Sequence, residues 1–285
     1  MGTILGLAIL GLSFSTDSQT AFGGEQLRRE WQVDGLAREA LISIPDNAKD
    51  KPVPLVFAFH GHGGNMRQAA RSFHIHTEWP EAMVVYMQGL NTPGQLTDPE
   101  GKKPGWQKAV GDQNDRDLHF FDAVLKSLKD EYKVDETRIY STGHSNGGGF
   151  TYLLWSARSD VFAAMAPSGS AALKLRGTLK PLPVFHIAGE NDPLVRYAWQ
   201  SMMIESLRKD QKCGDGKPWN KNATEYPSEI GAPVVTYITN QGHKFPEEAP
   251  KMIVKFFQKH AKSPAKTSTA EERPGSSPAG ETPNK

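Results

Sequence analysis

The chain has 285 residues, with 33 Lys and Arg against 32 Asp and Glu, a formal net charge of +1. That balance argues against a protein that holds nucleic acid by neutralising phosphates, because such domains carry a marked basic excess. A single cysteine, Cys213, excludes an internal disulfide framework and any Cys-x-x-Cys metal site. No apolar run reaches about 18 residues, so no membrane-spanning helix is expected.

The two ends differ from the middle. Residues 1–23 hold an apolar run from Ile4 to Phe14 and small residues around Ala21 and Gly23, which read as an export signal cleaved before Gly24. This predicts a secreted or periplasmic protein, although the segment lacks the usual Lys or Arg at its start. Residues 263–285 contain four prolines and no Val, Ile, Leu, Met or aromatic residue. Such a segment buries too little apolar area to offset its chain entropy and is expected to be disordered. Residues 24–262 remain as one catalytic domain of ordinary size.

Within it, residues 31–45 alternate around Asp34-Gly35 and predict an antiparallel hairpin. Residues 55–59 and 83–87 are short continuous apolar runs of the kind buried on both faces of a parallel sheet. Residues 117–132 place Phe120, Phe121, Val124, Leu125 and Leu128 at helical spacing. A strand follows at 138–142 and a helix starts near Asn146. Further strands are predicted at 162–166, 184–188 and 234–238, with helices at 203–209 and 250–260. Alternation of this kind implies a mostly parallel sheet with helices on both faces, an α/β fold whose ligands sit at the carboxyl ends of the strands.

The residues after those strand ends carry the chemistry. Gly143-His144-Ser145-Asn146-Gly147 is a G-x-S-x-G motif between a predicted strand and a predicted helix, the setting of a nucleophile elbow. A serine hydroxyl needs an adjacent base to attack at neutral pH. In folds built this way the partners follow in the order Ser, acid, His. The strand at 184–188 leads into Glu190 and Asp192, of which Asp192 is the expected acid and Glu190 the runner-up. The strand at 234–238 leads into Gly242-His243, which makes His243 the expected base. Two backbone N–H groups should hold the oxyanion: that of Asn146, and one from the loop 60–64, His62 first and Gly63 second. His60 is expected to fix that loop through its ring. No metal or cofactor is implied, since neither the His60/His62 nor the His74/His76 pair has the further ligands a metal site would need.

These residues resemble the α/β-hydrolase esterases of the polyhydroxybutyrate depolymerase-like, feruloyl esterase and acetylxylan esterase group, relatives of carbohydrate esterase family 1. The likeness rests on the loop 60–64, Trp106, the aspartates 112–117, the run 134–148 and the two strand ends at Asp192 and His243, and it covers roughly residues 30–260. It implies an α/β-hydrolase fold and the hydrolysis of carboxylic esters through Ser145, Asp192 and His243, with no cofactor. It suggests polyhydroxyalkanoate-type, feruloyl or acetyl esters, small or polymeric, as substrates of a monomeric enzyme. The sequence departs from the group at Phe245, where a Trp is common, and at Arg116, which breaks the usual Asp pair. Trp106 and Trp219, the latter within 211–233, are the candidate walls of the substrate cleft. A serine peptidase of the same fold and a non-catalytic binding module are the alternative readings. A lipase-type enzyme would call for a larger apolar lid than the sequence offers.

Overall fold

The computed structural model describes residues 26–220 and 222–263. The expected export segment, and all of the expected tail but Ser263, lie outside these residues. In chain order the elements are β1 (Gln26–Val33), β2 (Leu36–Ser43), β3 (Val53–Phe59), α1 (Met66–Phe73), α2 (Ile75–Glu78) and β4 (Met83–Met87). There follow β5 (Leu90–Asn91), β6 (Pro104–Gly105), α3 (Arg116–Glu131), β7 (Val134–His144), α4 (Asn146–Arg158) and β8 (Ala164–Ser168). The chain then continues through β9 (Val184–Gly189), α5 (Tyr197–Asp210), β10 (Lys217–Asn220), β11 (Ala223–Tyr226), β12 (Val234–Thr239) and α6 (Ala249–Phe257).

Ten strands form one sheet in the order β1-β2-β4-β3-β7-β8-β9-β12-β11-β10. The six from β4 to β12 run parallel, and an antiparallel pair closes each edge. Every residue of β3, β4, β8 and β9 is buried, because helices cover both faces of a parallel sheet. Alternation along β3 sends Leu55, Phe57 and Phe59 into one core with α3, α4 and α5. Val56 and Ala58 enter a second core with α1, α2 and α6. The first hairpin turns at Asp34 and Gly35, both at positive φ, as a two-residue hairpin loop requires.

The structure adds elements that the periodicity did not announce. Helix α1 starts at Asn65, whose side chain caps the N–H of Gln68 at 2.9 Å. The segment 211–233, expected to wall a cleft, instead supplies the edge hairpin β10–β11.

One buried ion pair ties the first hairpin to the loops above the sheet. Arg38 of β2 donates to Asp117 of α3 at 2.7 Å, and neither side chain is exposed. Arg38 also donates to the carbonyl oxygens of Arg116 and Gln88, and its guanidinium stacks on Phe120. The second oxygen of Asp117 accepts the N–H of Gln107, whose own side-chain oxygen accepts from Asp117 and Leu118. Removing one member of such a pair strands a buried charge, at a cost of about 3–5 kcal/mol. Arg38→Met should therefore lower the stability of the domain by about that amount, read from the urea midpoint. A midpoint unchanged from wild type would show that the pair anchors nothing.

Candidate active site

Ser145 occupies the turn between β7 and α4 with φ 57° and ψ −119°, a strained conformation for a residue with a side chain. The cause lies on both sides of it. A Cβ on Gly143 would fall 2.4 Å from the carbonyl oxygen of Gly147, and one on Gly147 would fall 2.1 Å from that of Phe59. Only glycine lets α4 approach β7 and β3 this closely. Gly148 is confined in the same way by Ser168 and Ser170, whereas nothing in the structure explains glycine at 149.

The structure brings Ser145, His243 and Asp192 together. His243, in the loop between β12 and α6, places Nε2 2.7 Å from Ser145 Oγ and Nδ1 2.7 Å from Asp192 Oδ2. An ionised carboxylate only accepts, so Nδ1 carries the hydrogen and Nε2 is left to accept the serine O–H. Asp192 follows β9 and is buried. Its Oδ1 accepts the N–H groups of Leu194 and Val195, each at 2.9 Å, which leaves Oδ2 to face the imidazole. Glu190 is exposed and does not reach His243.

His144 lies beside this line, its ring 4.9 Å from that of His243 and its Nδ1 3.1 Å from Ser168 Oγ. Burial, reinforced by His243, pushes its pKa down to about 3, so it stays neutral and sets no positive charge beside the base. Phe245 packs edge-on against both His144 and Phe73 and forms an aromatic wall there.

The loop 60–64 passes over Ser145: a Cβ on Gly61 would lie 3.5 Å from Ser145 Cβ. The N–H of Gly63 is taken by Pro104 O at 2.7 Å and that of Gly64 by Gly61 O at 3.0 Å. Among the described residues the N–H of His62 meets no backbone acceptor. Asn146 opens α4, where first-turn N–H groups have no partner within the helix. The N–H of Gly63, the second candidate, is thus engaged elsewhere, whereas that of His62, the first candidate, meets no backbone acceptor.

The ring of His60 holds the loop in place. Its Nε2 accepts the N–H of Gly89 at 3.0 Å and its Nδ1 donates to Gly61 O at 2.8 Å. Burial pushes its pKa down to about 4, which preserves the acceptor at Nε2. The His62 ring is bonded to Asp98 at 3.0 Å and fills the space left by Gly94 and Gly105, where a Cβ would fall 2.6 Å from a ring nitrogen. The side-chain amide of Asn146 pairs with both the N–H and the carbonyl of Trp106, at 2.7 and 3.1 Å.

Two expected substrate residues require correction. Trp106 is fully buried, donates its indole N–H to His60 O at 2.9 Å and packs on Phe59 and Phe150. It supports the loop from beneath and offers no surface to a substrate. Trp219 packs on Phe185 under Lys255 and Lys259, so its ring belongs to the α6 face of the sheet edge rather than to the cleft.

An elbow after β7, an acid after β9 and a histidine after β12, at the ends of three strands of a largely parallel sheet, define an α/β-hydrolase. Solved esterases share that fold. A ferulic acid esterase superposes with a TM-score of 0.62 at 14% identity, over 84% of this chain and 99% of the other. The Bacillus cereus carboxylesterase gives 0.55 at 21% identity, over 78% and 94%. The family model of acetyl xylan esterase matches residues 33–168, a span that includes Ser145 but stops short of Asp192 and His243. The probable feruloyl esterase C of Aspergillus clavatus is 30% identical over 223 residues, 74% of this chain and 77% of that protein. Its counterpart in Aspergillus flavus is 30% identical over 190 residues, 64% of this chain, and the chain spans about two thirds (66%) of that relative's length. The chain belongs to the family of the feruloyl and acetylxylan esterases.

The buried histidines make stability depend on pH. His60, His144 and His186 are held neutral, at about 4, 3 and 4, whereas the unfolded chain protonates them near 6.5. Between these values the unfolded state binds more protons, so stability should fall as pH drops from about 6.5 towards 4. Urea midpoints across that range test this, and a midpoint that holds steady from pH 6.5 to 4.5 would refute it.

Proposed function

We propose that this protein is a serine esterase that cleaves carboxylic esters by a two-step acyl transfer. The observation that carries the reading is the unbroken line from Ser145 Oγ through His243 to Asp192 Oδ2, with 2.7 Å at each junction. Ser145 attacks the ester carbonyl while His243 Nε2 takes its proton, and the negative charge that develops on the carbonyl oxygen falls to the N–H groups of His62 and Asn146. The imidazolium then protonates the leaving alcohol, and Asp192 holds its orientation and balances its charge. In the second step His243 activates a water, which releases the acid and restores the serine.

The names of its relatives point the substrate reading towards feruloyl or acetyl esters of plant polysaccharide. Polyhydroxyalkanoate esters are the further candidate from sequence resemblance. Export through the segment 1–23 would bring the enzyme to such polymers.

Ser145→Ala should abolish turnover and fluorophosphonate labelling while leaving the fold intact. Asp192→Asn should reduce kcat by on the order of 10⁴, because the amide favours the wrong histidine tautomer. An Asp192→Asn enzyme near the wild-type rate would remove the acid from its role. A panel of p-nitrophenyl acetate, p-nitrophenyl butyrate, methyl ferulate, acetylated xylan and polyhydroxybutyrate assigns the substrate. Failure on every ester, together with cleavage of a peptide, would overturn the esterase reading.

A further inference from the structure

Beside Asp192 lies a buried polar chain that the reaction as described does not use. Gln200, in the first turn of α5, is fully buried, and its side-chain nitrogen lies 2.7 Å from Val195 O and 3.3 Å from Asp192 Oδ2. Both of these neighbours accept only, so the amide must present its NH₂ group to them. Its oxygen is thereby turned inward, where it is buried with no hydrogen-bond partner among the described residues. His186, on β9, is likewise fully buried, and its Nδ1 is 2.7 Å from the hydroxyl of Tyr152 on α4. The Nε2 of His186 has no hydrogen-bond partner among the described residues, and the Gln200 side chain is its polar neighbour.

The unpaired oxygen of Gln200 and the unpaired Nε2 of His186 are complementary only if Nε2 carries the hydrogen. Nδ1 of His186 is then an acceptor, and Tyr152 donates to it. Burial supports this arrangement, since it keeps the Tyr152 hydroxyl protonated well above its usual range and the His186 ring neutral.

We propose that Gln200 is a positioning residue for the acid, its amide oriented by His186 and Tyr152 so that an N–H restrains the same oxygen of Asp192 that binds His243. Val195 contributes to both ends of this restraint, through its N–H to Asp192 Oδ1 and its carbonyl to Gln200. With the amide reversed, the Gln200 oxygen would point at the carboxylate and repel it. The His186–Tyr152 pair prevents that reversal from below.

The inference rests on the triad reading, and the experiment separates the two. Fluorophosphonate inactivation and p-nitrophenyl acetate hydrolysis are measured on the full chain. If the wild-type protein is not labelled, the triad reading itself fails. If it is labelled, Gln200→Leu should lower both kcat and the inactivation rate on the order of tenfold, the worth of one hydrogen bond to a charged group, with KM unchanged. A Gln200→Leu rate within twofold of wild type overturns the inference and leaves the triad standing.

Gln200→Glu supplies a readout that a merely structural role would not move. The titratable groups facing this side chain are Asp192 from the loop after β9, His186 from β9 and, beyond it, Tyr152 from α4. Asp192 in turn faces His243, with His144 beside it. The introduced carboxyl can donate to Asp192 while it is protonated, and it repels Asp192 once it is ionised. Activity relative to wild type should therefore decline as pH rises, and a ratio independent of pH counts against the proposal. If Gln200→Leu does not fold, Tyr152→Phe decides, since it removes one hydroxyl and keeps the packing. Its kcat should fall severalfold with an unchanged circular dichroism spectrum, and an unchanged kcat overturns the relay.

Discussion

The close approach of α4 to β3 at Gly147 is the constraint on which the rest of the site depends. With the backbone of Gly147 seated against the carbonyl groups of Phe59 and His60, the helix start is pressed onto two strands at once. Ser145 has no room for a relaxed conformation and projects from the sheet edge. The same contact brings the end of β3, and the loop that follows it, over the serine. Ser145 and the proposed oxyanion loop are thus placed by one backbone packing event rather than by separate adjustments.

Around that contact the polar groups form a layered support. His60 joins the loop to Gly89, and Trp106 grips the carbonyl of His60. Asn146 grips the backbone of Trp106, and Gln107 passes the connection to Asp117 and Arg38. All these links but the half-buried one at Asn146 are buried, where an unmade hydrogen bond costs more than a made one contributes. The loop over Ser145 therefore has few alternative conformations. This matters for a reaction in which donors must already be aimed when charge appears, since reorganisation at that moment would slow the step.

Much of this was legible in the sequence, for physical reasons. The run 83–87 coincides with β4 because a strand buried on both faces needs continuous apolar residues. Ser145, Asp192 and His243 stand out because each follows a strand, and strand ends of a parallel sheet converge on one edge. Three things were not legible. Strands β10 and β11 are short and lie at the sheet edge, where half-buried residues such as Trp219 and Thr224 give no clean period. Trp106 carries the same letter whether it lines a cleft or props a loop, and only its buried neighbours decide. Gln200 has no local signature at all, since its significance lies in meeting Asp192, His186 and Val195 across separate elements.

The antiparallel pairs at the two ends of the sheet have a consequence beyond topology. Among the described residues the open ten-stranded sheet leaves two rows of unpaired backbone groups, each a template onto which another chain could add. At one end β1 presents Arg28, Arg29 and Glu30, with Arg28 paired to Glu30 and Glu39 and Arg29 paired to Glu131. At the other, β10 is four residues long, contains Pro218 and breaks register with β11 next to it. Proline removes a donor, and desolvating the charged row would be costly, so both borders resist strand addition. The outermost strands, remote from Ser145, thereby protect the molecule against sheet-to-sheet aggregation at high concentration.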